Sequence, residues 1–381
     1  MKALVVGSGM SGAAAARLLA DAGHEVVVLE ARGHAGGNCY DEEQGGVRVH
    51  QYGPHLFHTN DEAVWQFLSR FTEWTEYRHT VVADTRLGRI SIPYNLQTEA
   101  QLGWRLTDEE IRDLIFVEYS AKQWGVPWEE MPAAITGRVP TRRDNADDGY
   151  FTDRFQGQPK HGYAALFTKM LEGIPVQLGV EKAAWREVAK AMGAELVIYT
   201  GKVDEYFGYC YGRLPYRSLR FEHTRSTEGL PHAVINQCNA LPWTREYDHR
   251  WFSGQGGGAG HGEDGGDGAA AFVAPGAWDA GAGKDASQDA GKCENVGKME
   301  TVLTKEYPLA HDGTNEPYYP MPFGEGMALY QRYKELALLA RAAAQAAEEP
   351  RTVFLGRLAT YSYLDMWMAV AQAMVKLRGW I

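Results

Sequence analysis

The chain predicts an α/β fold in which a Rossmann-type nucleotide-binding unit at the N-terminus is joined to a helical region and a second, mostly antiparallel sheet. Three observations carry this. Residues 1–37 read as strand, glycine turn, helix, strand and acid; residues 98–134 change to helical spacing; and short alternating or aliphatic runs recur between 195 and 307, punctuated by glycine and proline.

Taken in order, the apolar run 3–6 leads into Gly7, Gly9 and Gly12, a G-x-G-x-x-G turn. A backbone this bare can approach a pyrophosphate, whose charge is met by the N–H groups opening the next helix. Ala16, Leu19 and Gly23 keep helical spacing, and Val26 and Val28 alternate into a second strand ending at Glu30, which is placed to accept from a ribose hydroxyl. Gly45-Gly46 sits between alternating residues as a hairpin turn. His55 and His58 follow in a glycine- and proline-bound turn; with no third ligand in sight they read as hydrogen-bonding loop residues rather than a metal site. Val64, Phe67, Leu68 and Phe71 give a helix over 61–74, and 77–94 reads as two strands about a Gly88 turn.

Thr107 to Glu110 reads as a capping box ahead of Ile111, Leu114 and Ile115. The polar stretch 138–151 has no apolar period and reads as an exposed, mobile loop. Helix is expected over 162–171, strands over 176–180 and 195–200, and β structure through the aromatic, glycine-punctuated run 206–216. Further strands at 233–236 and 301–307, a helix over 325–347, a strand at 352–355 and a closing helix at 364–378 complete the chain. Residues 253–300 stand apart: fourteen of the 43 glycines fall there, without periodicity, which marks a flexible insertion.

The totals bound the function. At 381 residues two or three domains are expected. A net charge of −11 would repel nucleic acid and anionic membrane alike, so any phosphate site must be built from local arginines. The four cysteines show neither C-x-x-C nor metal spacing, which points to a reducing compartment. The first strand begins without a charged-then-apolar leader, and no apolar run approaches the roughly 18 residues of a membrane span. A soluble, cytoplasmic protein is expected.

Gly36-Gly37 lies beyond the nicotinamide fingerprint, and the pattern Gly7 to Gly37 resembles the longer signature of FAD-binding flavoproteins, with NAD bound alone as the alternative. Further on, the blocks GPHLFHT, YSAKQWG, RVPTRRDN, DDGYF, FQGQPKHGY, YGRLPYRSL, PWTRE, KEYP, PYYP and GRLATYSYLDM resemble, in the same order, those of bacterial UDP-galactopyranose mutases. The resemblance implies an FAD-binding domain assembled from 1–75, 172–203 and 325–381, a helical domain over 96–149 with a mobile loop at about 136–149, an antiparallel-sheet domain from 76–95, 150–171, 204–252 and 301–324, and the insertion 253–300. It implies interconversion of UDP-galactopyranose and UDP-galactofuranose, with N5 of reduced FAD as nucleophile on the anomeric carbon. A homodimer is also implied.

Site residues follow from the same resemblance. Trp124 matches the family's uracil-stacking tryptophan, with Tyr119 and Ser120 beside it. Arg138 and Arg245 match two diphosphate-binding arginines and, with His58, form the catalytic set. Tyr150, Tyr319 and Tyr363 match tyrosines on the diphosphate; Asn95 and Asn236 match amides of the nucleotide-sugar site; Glu306 matches a glutamate lining it. His55 and His58 belong to a histidine loop beside the isoalloxazine. Arg357, Asp365 and Met366 match the block that closes over the flavin. The dinucleotide would be held by Gly7, Gly9, Ser11, Gly12, Glu30, Ala31, Gly37, Asn38 and Leu56.

The chain departs from the family in a shorter segment between Asn95 and Tyr119, in Ile115 where an aromatic usually meets the nucleotide, and in the insertion after the Arg245 block. Two other readings stay open. An amine-oxidase-type FAD oxidoreductase would share the first motif but need no pair of diphosphate arginines. A binding protein without turnover would hold UDP and not isomerise its sugar.

Overall fold

The computed structural model describes residues 1–137, 141–253, 300–346 and 350–381. The first unit forms as its spacing requires: β1 (Lys2–Val6), α1 (Met10–Asp21) and β2 (Glu25–Leu29) build a β-α-β turn. The hairpin β3 (Asp41–Gln44) and β4 (Val47–His50) turns at Gly45-Gly46, and the histidine segment becomes a short strand, β5 (Phe57–Thr59). Asp61 caps α2 (Glu62–Ser69) by accepting from Ala63 and Val64 N–H, before β6 (Trp74–Glu76).

β7 (Val81–Thr85) and β8 (Gly88–Ile92) form the next hairpin, whose turn falls at Arg86-Leu87, with Gly88 opening the second strand. Asn95 and Thr107 then cap α3 (Leu96–Leu102) and α4 (Asp108–Ile111) through reciprocal capping boxes. A single π turn over Arg112–Phe116 joins α4 to α5 (Val117–Trp124), and α6 (Ala133–Thr136) follows.

Beyond these come β9 (Phe155–Pro159), α7 (Gly162–Met170), β10 (Val176–Gln177), α8 (Trp185–Met192), β11 (Leu196–Tyr199) and α9 (Val203–Tyr206). The chain continues through β12 (Tyr216–Ser226), β13 (Val234–Cys238), β14 (Arg245–Asp248), β15 (Thr301–Ala310), β16 (Pro317–Pro320), α10 (Gly324–Ala346), β17 (Arg351–Phe354), α11 (Gly356–Ala359) and α12 (Met366–Lys376).

Two sheets organise these elements. The first, ordered β10-β2-β1-β11-β17, is wholly parallel. Ala13 to Ala16 are fully buried on α1, and their small side chains let α12 and α7 pack onto it through Val370, Ala373, Phe167 and Met170. Trp185, Ala189 and Tyr199 fill the core of the opposite face. The second sheet, ordered β16-β12-β15-β14-β13-β7-β8, is antiparallel except where β13 runs parallel to β7. Ile111, Leu114 and Ile115 cover its core with Tyr94 and Tyr247. A small sheet, β5-β9-β6, completes the frame.

Three details differ from the sequence reading. Residues 206–216 are not a strand: α9 gives way to turns, with Tyr209 at φ 58°, because the Asp204 carboxylate draws in Leu214 N–H at 3.0 Å and folds the segment back on itself. Residues 150–171, grouped by sequence with the antiparallel sheet, carry β9 and α7, which pair with β5 and β6 and pack on α1. α8, β12 and β14 also emerge where no element was read, while α3 falls at the start of the stretch read as helical. The insertion proposed at 253–300 lies outside the described residues apart from its first and last positions.

Candidate functional site

A cavity of about 290 Å³ opens at the carboxyl end of the parallel sheet. Gly9 is the N-cap of α1 and has no side chain to offer, so the first N–H groups of the helix are left for a ligand. Gly12 keeps α1 tight on the turn: a Cβ there would lie 1.9 Å from the Gly7 carbonyl oxygen. Glu30, buried at the end of β2, accepts from Ser8 N–H at 2.8 Å, Ser8 Oγ at 2.6 Å and Arg32 N–H at 2.9 Å, which fixes its carboxylate at the cavity wall. Gly7, Ser11, Ala31, Gly37 and Asn38 continue that wall.

A second cavity, of about 460 Å³, lies over the antiparallel sheet. Its floor is set by register: Asn236, Arg245 and Glu306 are direct partners across β13, β14 and β15, so the three side chains share one row. Glu306 is fully buried and takes Arg245 Nε at 3.1 Å and Nη2 at 2.9 and 2.8 Å. Burial alone would work against the guanidinium charge, but Glu306 beside it holds Arg245 well above the usual arginine range. Nη1 has no protein acceptor among the described residues and stays available to an anion.

One wall is α5, which presents Tyr119, Ser120, Gln123 and Trp124. The π turn before it inserts one extra residue, so that Ile115 and Phe116, neighbours in sequence, both reach the cavity. The facing wall is aromatic: Tyr319 and Tyr363 stack at 5.7 Å, Arg357 lies 5.0 and 4.9 Å from their centres, and Trp124 lies 6.1 Å from Tyr319. Burial, followed by the neighbouring Tyr363, pushes the Tyr319 phenol up to about 12, so it remains a hydroxyl donor at neutral pH.

Histidines complete the rim. His58 Nδ1 meets the Asp153 carboxylate at 2.8 Å and the ring stacks on Phe151 at 3.7 Å. His55 Nδ1 lies 2.8 Å from the Gly53 carbonyl, an acceptor only, so Nδ1 carries the proton and Nε2 keeps its lone pair. Burial lowers His55 to about 3, and His79, buried beside Arg245, likewise; both are neutral. Among the described residues no group of three or more His, Cys, Asp and Glu side chains could hold a metal ion.

The two cavities meet. Asn38, His55, Tyr318, Arg357, Asp365 and Met366 line both, so a ligand filling the first faces one filling the second. α12 begins at this junction with Asp365 as N-cap, whose side chain makes no capping bond, and its N-terminus favours negative charge there.

The model of the family described as UDP-galactopyranose mutase matches residues 114–262 and 291–363, and a NAD(P)-binding Rossmann-like model matches 5–71. The chain belongs to the UDP-galactopyranose mutase family. It is 32% identical to a probable UDP-galactopyranose mutase of Klebsiella pneumoniae, over 97% of this chain and 92% of that one. It is also 31% identical to the dTDP-fucopyranose mutase of Escherichia coli, over 98% of this chain and 96% of that protein. Its fold matches a crystal structure of reduced UDP-galactopyranose mutase with TM-score 0.67 at 13% identity, covering 98% and 92% of the two chains. A putrescine oxidase shares the fold more distantly, with TM-score 0.52 at 14% identity, covering 99% and 98%. Membership in the mutase family makes this protein an isomerase, and its site can be judged as one.

Most of the residues expected from sequence line the two cavities of this mutase-family fold, Leu56, Tyr150 and Asn236 at the second among them. Asn95 does not. It is fully buried as the cap of α3, its oxygen accepting from Gln97 and Thr98 N–H and its amide donating to the Pro93 and Asp147 carbonyls, so no polar atom remains for a ligand. Arg138 lies outside the described residues. Phe116, Gln123 and Phe151 line the mutase cavity without having been singled out; the π turn that delivers Phe116 has no sequence signature.

Proposed function

We propose that the protein interconverts UDP-galactopyranose and UDP-galactofuranose with FAD resident in the first cavity. The observation that supports this is the junction: the cavity floored by the Asn236–Arg245–Glu306 row, whose arginine could meet a diphosphate, opens directly onto the cavity at the glycine turn. The latter cavity fits FAD in its donor set, with the uncapped α1 N-terminus for the pyrophosphate and the fixed Glu30 carboxylate for a ribose hydroxyl. When bound and reduced, the flavin supplies a nucleophilic nitrogen, N5, for the anomeric carbon.

Everything else falls to the chain. Arg245 Nη1, together with Arg138, would neutralise the diphosphate and steady the charge on departing UDP. Tyr150, Tyr319 and Tyr363 add hydroxyl donors, Asn236 an amide, and Trp124 with Phe116 apolar faces for the base. His58, held by Asp153, and neutral His55 border the reacting end, and Arg357 with the α12 N-terminus favours the charge of a reduced cofactor. We assign 1–75, 172–203 and 325–381 to cofactor binding, and infer a cytoplasmic homodimer. No helix among the described residues is long and apolar enough to cross a membrane.

The test is anaerobic incubation of the flavin-loaded protein with UDP-galactofuranose, with and without dithionite, following UDP-galactopyranose by HPLC. Conversion in the reduced sample alone is expected. Reducible flavin without conversion would overturn the proposal, in favour of a binding protein or, with hydrogen peroxide released from amines, an oxidase. A parallel run with a dTDP-sugar separates the two nucleotide classes named among the relatives.

A further inference from the structure

The α5 wall and the Asn236–Arg245 row belong to different parts of the chain, and one side chain joins them. Lys122, on α5 between Ser120 and Gln123, reaches across to the β13–β14 connection. Its Nζ lies 2.8 Å from the carbonyl oxygen of Gln237, 2.7 Å from that of Asn239, 2.9 Å from that of Leu241 and 3.2 Å from that of Trp243. Gln237 follows Asn236, and Trp243 lies two residues before Arg245. Four carbonyls turned onto one point repel each other unless a compact cation sits among them, and an ammonium with three rotatable donors suits that place.

The last turn of α5 is itself held from the sheet. Arg217 of β12 donates from Nε to the Gln123 carbonyl at 3.0 Å and from Nη2 to the Lys122 carbonyl at 3.2 Å, where the helix ends on Gly125. A Cβ on Gly125, at φ 70°, would lie 2.5 Å from Arg217 Nη1. The helix is therefore fixed by Arg217 from the sheet, while Lys122 fixes the connection to the helix.

We propose that Lys122 is a positioning residue that sets the separation between the base-binding wall of α5 and the diphosphate-binding Arg245, and so the span a nucleoside diphosphate must match. The inference rests on the nucleotide-sugar reading of the second cavity. With Lys122→Met the carbonyls part, the connection moves, and Asn236 and Arg245 lose their register against Tyr119 and Trp124.

The experiment compares wild type with Lys122→Met and Lys122→Ala, each loaded with FAD, measuring UDP binding by fluorescence titration, KM and kcat for UDP-galactofuranose, flavin content and Tm. Both variants are expected to keep flavin and to bind UDP about tenfold more weakly, with a parallel rise in KM, because a misplacement of about 1 Å is enough for such losses. Propylammonium should restore binding to Lys122→Ala saturably, and propanol should not. UDP affinity within about twofold of wild type, by the fluctuation expected for a surface change, would overturn the proposal, as would loss of binding that tracks loss of fold and ignores the amine. A wild type that itself fails to bind UDP would instead remove the nucleotide-sugar reading and this inference with it.

Discussion

Arg245→Ala should fail in two separable ways. Glu306 is fully buried and draws three short contacts from the guanidinium; without them its remaining side-chain donor among the described residues is Thr244 Oγ1 at 3.4 Å. Breaking a buried pair by removing one partner costs about 3–5 kcal/mol, because the surviving charge is left uncompensated. In a chain of this size that lowers the melting temperature by about 4–6 °C. Separately, removing a charged donor from the leaving diphosphate should reduce kcat by about 10²–10³-fold. The double variant Arg245→Ala/Glu306→Gln tells the effects apart: it should recover roughly 2 kcal/mol or more of the stability, since no buried charge is stranded, and none of the turnover. Melting curves read by flavin fluorescence and HPLC of the anaerobic reaction give both quantities. A double variant no more stable than the single one would refute the stranded-charge argument, and near-normal turnover in either would remove Arg245 from the mechanism.

Arg138→Ala should lower kcat by about 10²-fold or more with flavin retained, as for loss of one transition-state donor; unchanged turnover would take it out of the site. Asn95→Ala should cost about 1 kcal/mol through loss of the α3 cap and leave KM unaltered, so a large KM effect with little loss of stability would return this residue to the substrate site. Acid should destabilise the fold through its buried histidines. His50, His55 and His79 are each lowered by burial to about 3, so as pH falls from about 6.5 toward 3 the unfolded chain takes up protons that the folded chain refuses. Stability present above pH 6.5 is lost in that window, at about 1.4 kcal/mol per pH unit for each histidine. Urea midpoints that stay level between pH 7 and 5 would contradict this.

How far the sequence could be read depended on range. The β1-α1-β2 unit was legible because everything that makes it lies within some thirty residues: an aliphatic run, a glycine turn, a small-residue helix face and a terminal acid. The Asn236–Arg245–Glu306 row was not, since it depends on the registers of β13 on β14 and β14 on β15, which no spacing encodes; resemblance alone brought those residues together. Where resemblance and local chemistry disagreed, local chemistry won. Asn95 is followed three residues on by Thr98, a reciprocal cap readable from sequence, and the amide was spent there rather than on a ligand. The aromatic run 206–216 failed for the opposite reason: its composition suits a strand, but the Asp204 carboxylate, upstream of the run, ties Leu214 into a turn.

Lys122 stayed silent for the same physical reason. Between Tyr119 and Trp124 a lysine at helical spacing reads as a solvated surface residue, and α5 alone would leave it one. Its role exists only once Gln237, Asn239, Leu241 and Trp243 turn their carbonyls onto one point, and the first and last of those lie just inside the two ends of the segment between Asn236 and Arg245. A cation so placed answers a demand of the backbone rather than of any acid. The substitution that separates its chemistry from its packing is therefore the apolar methionine, which keeps the length and discards the charge.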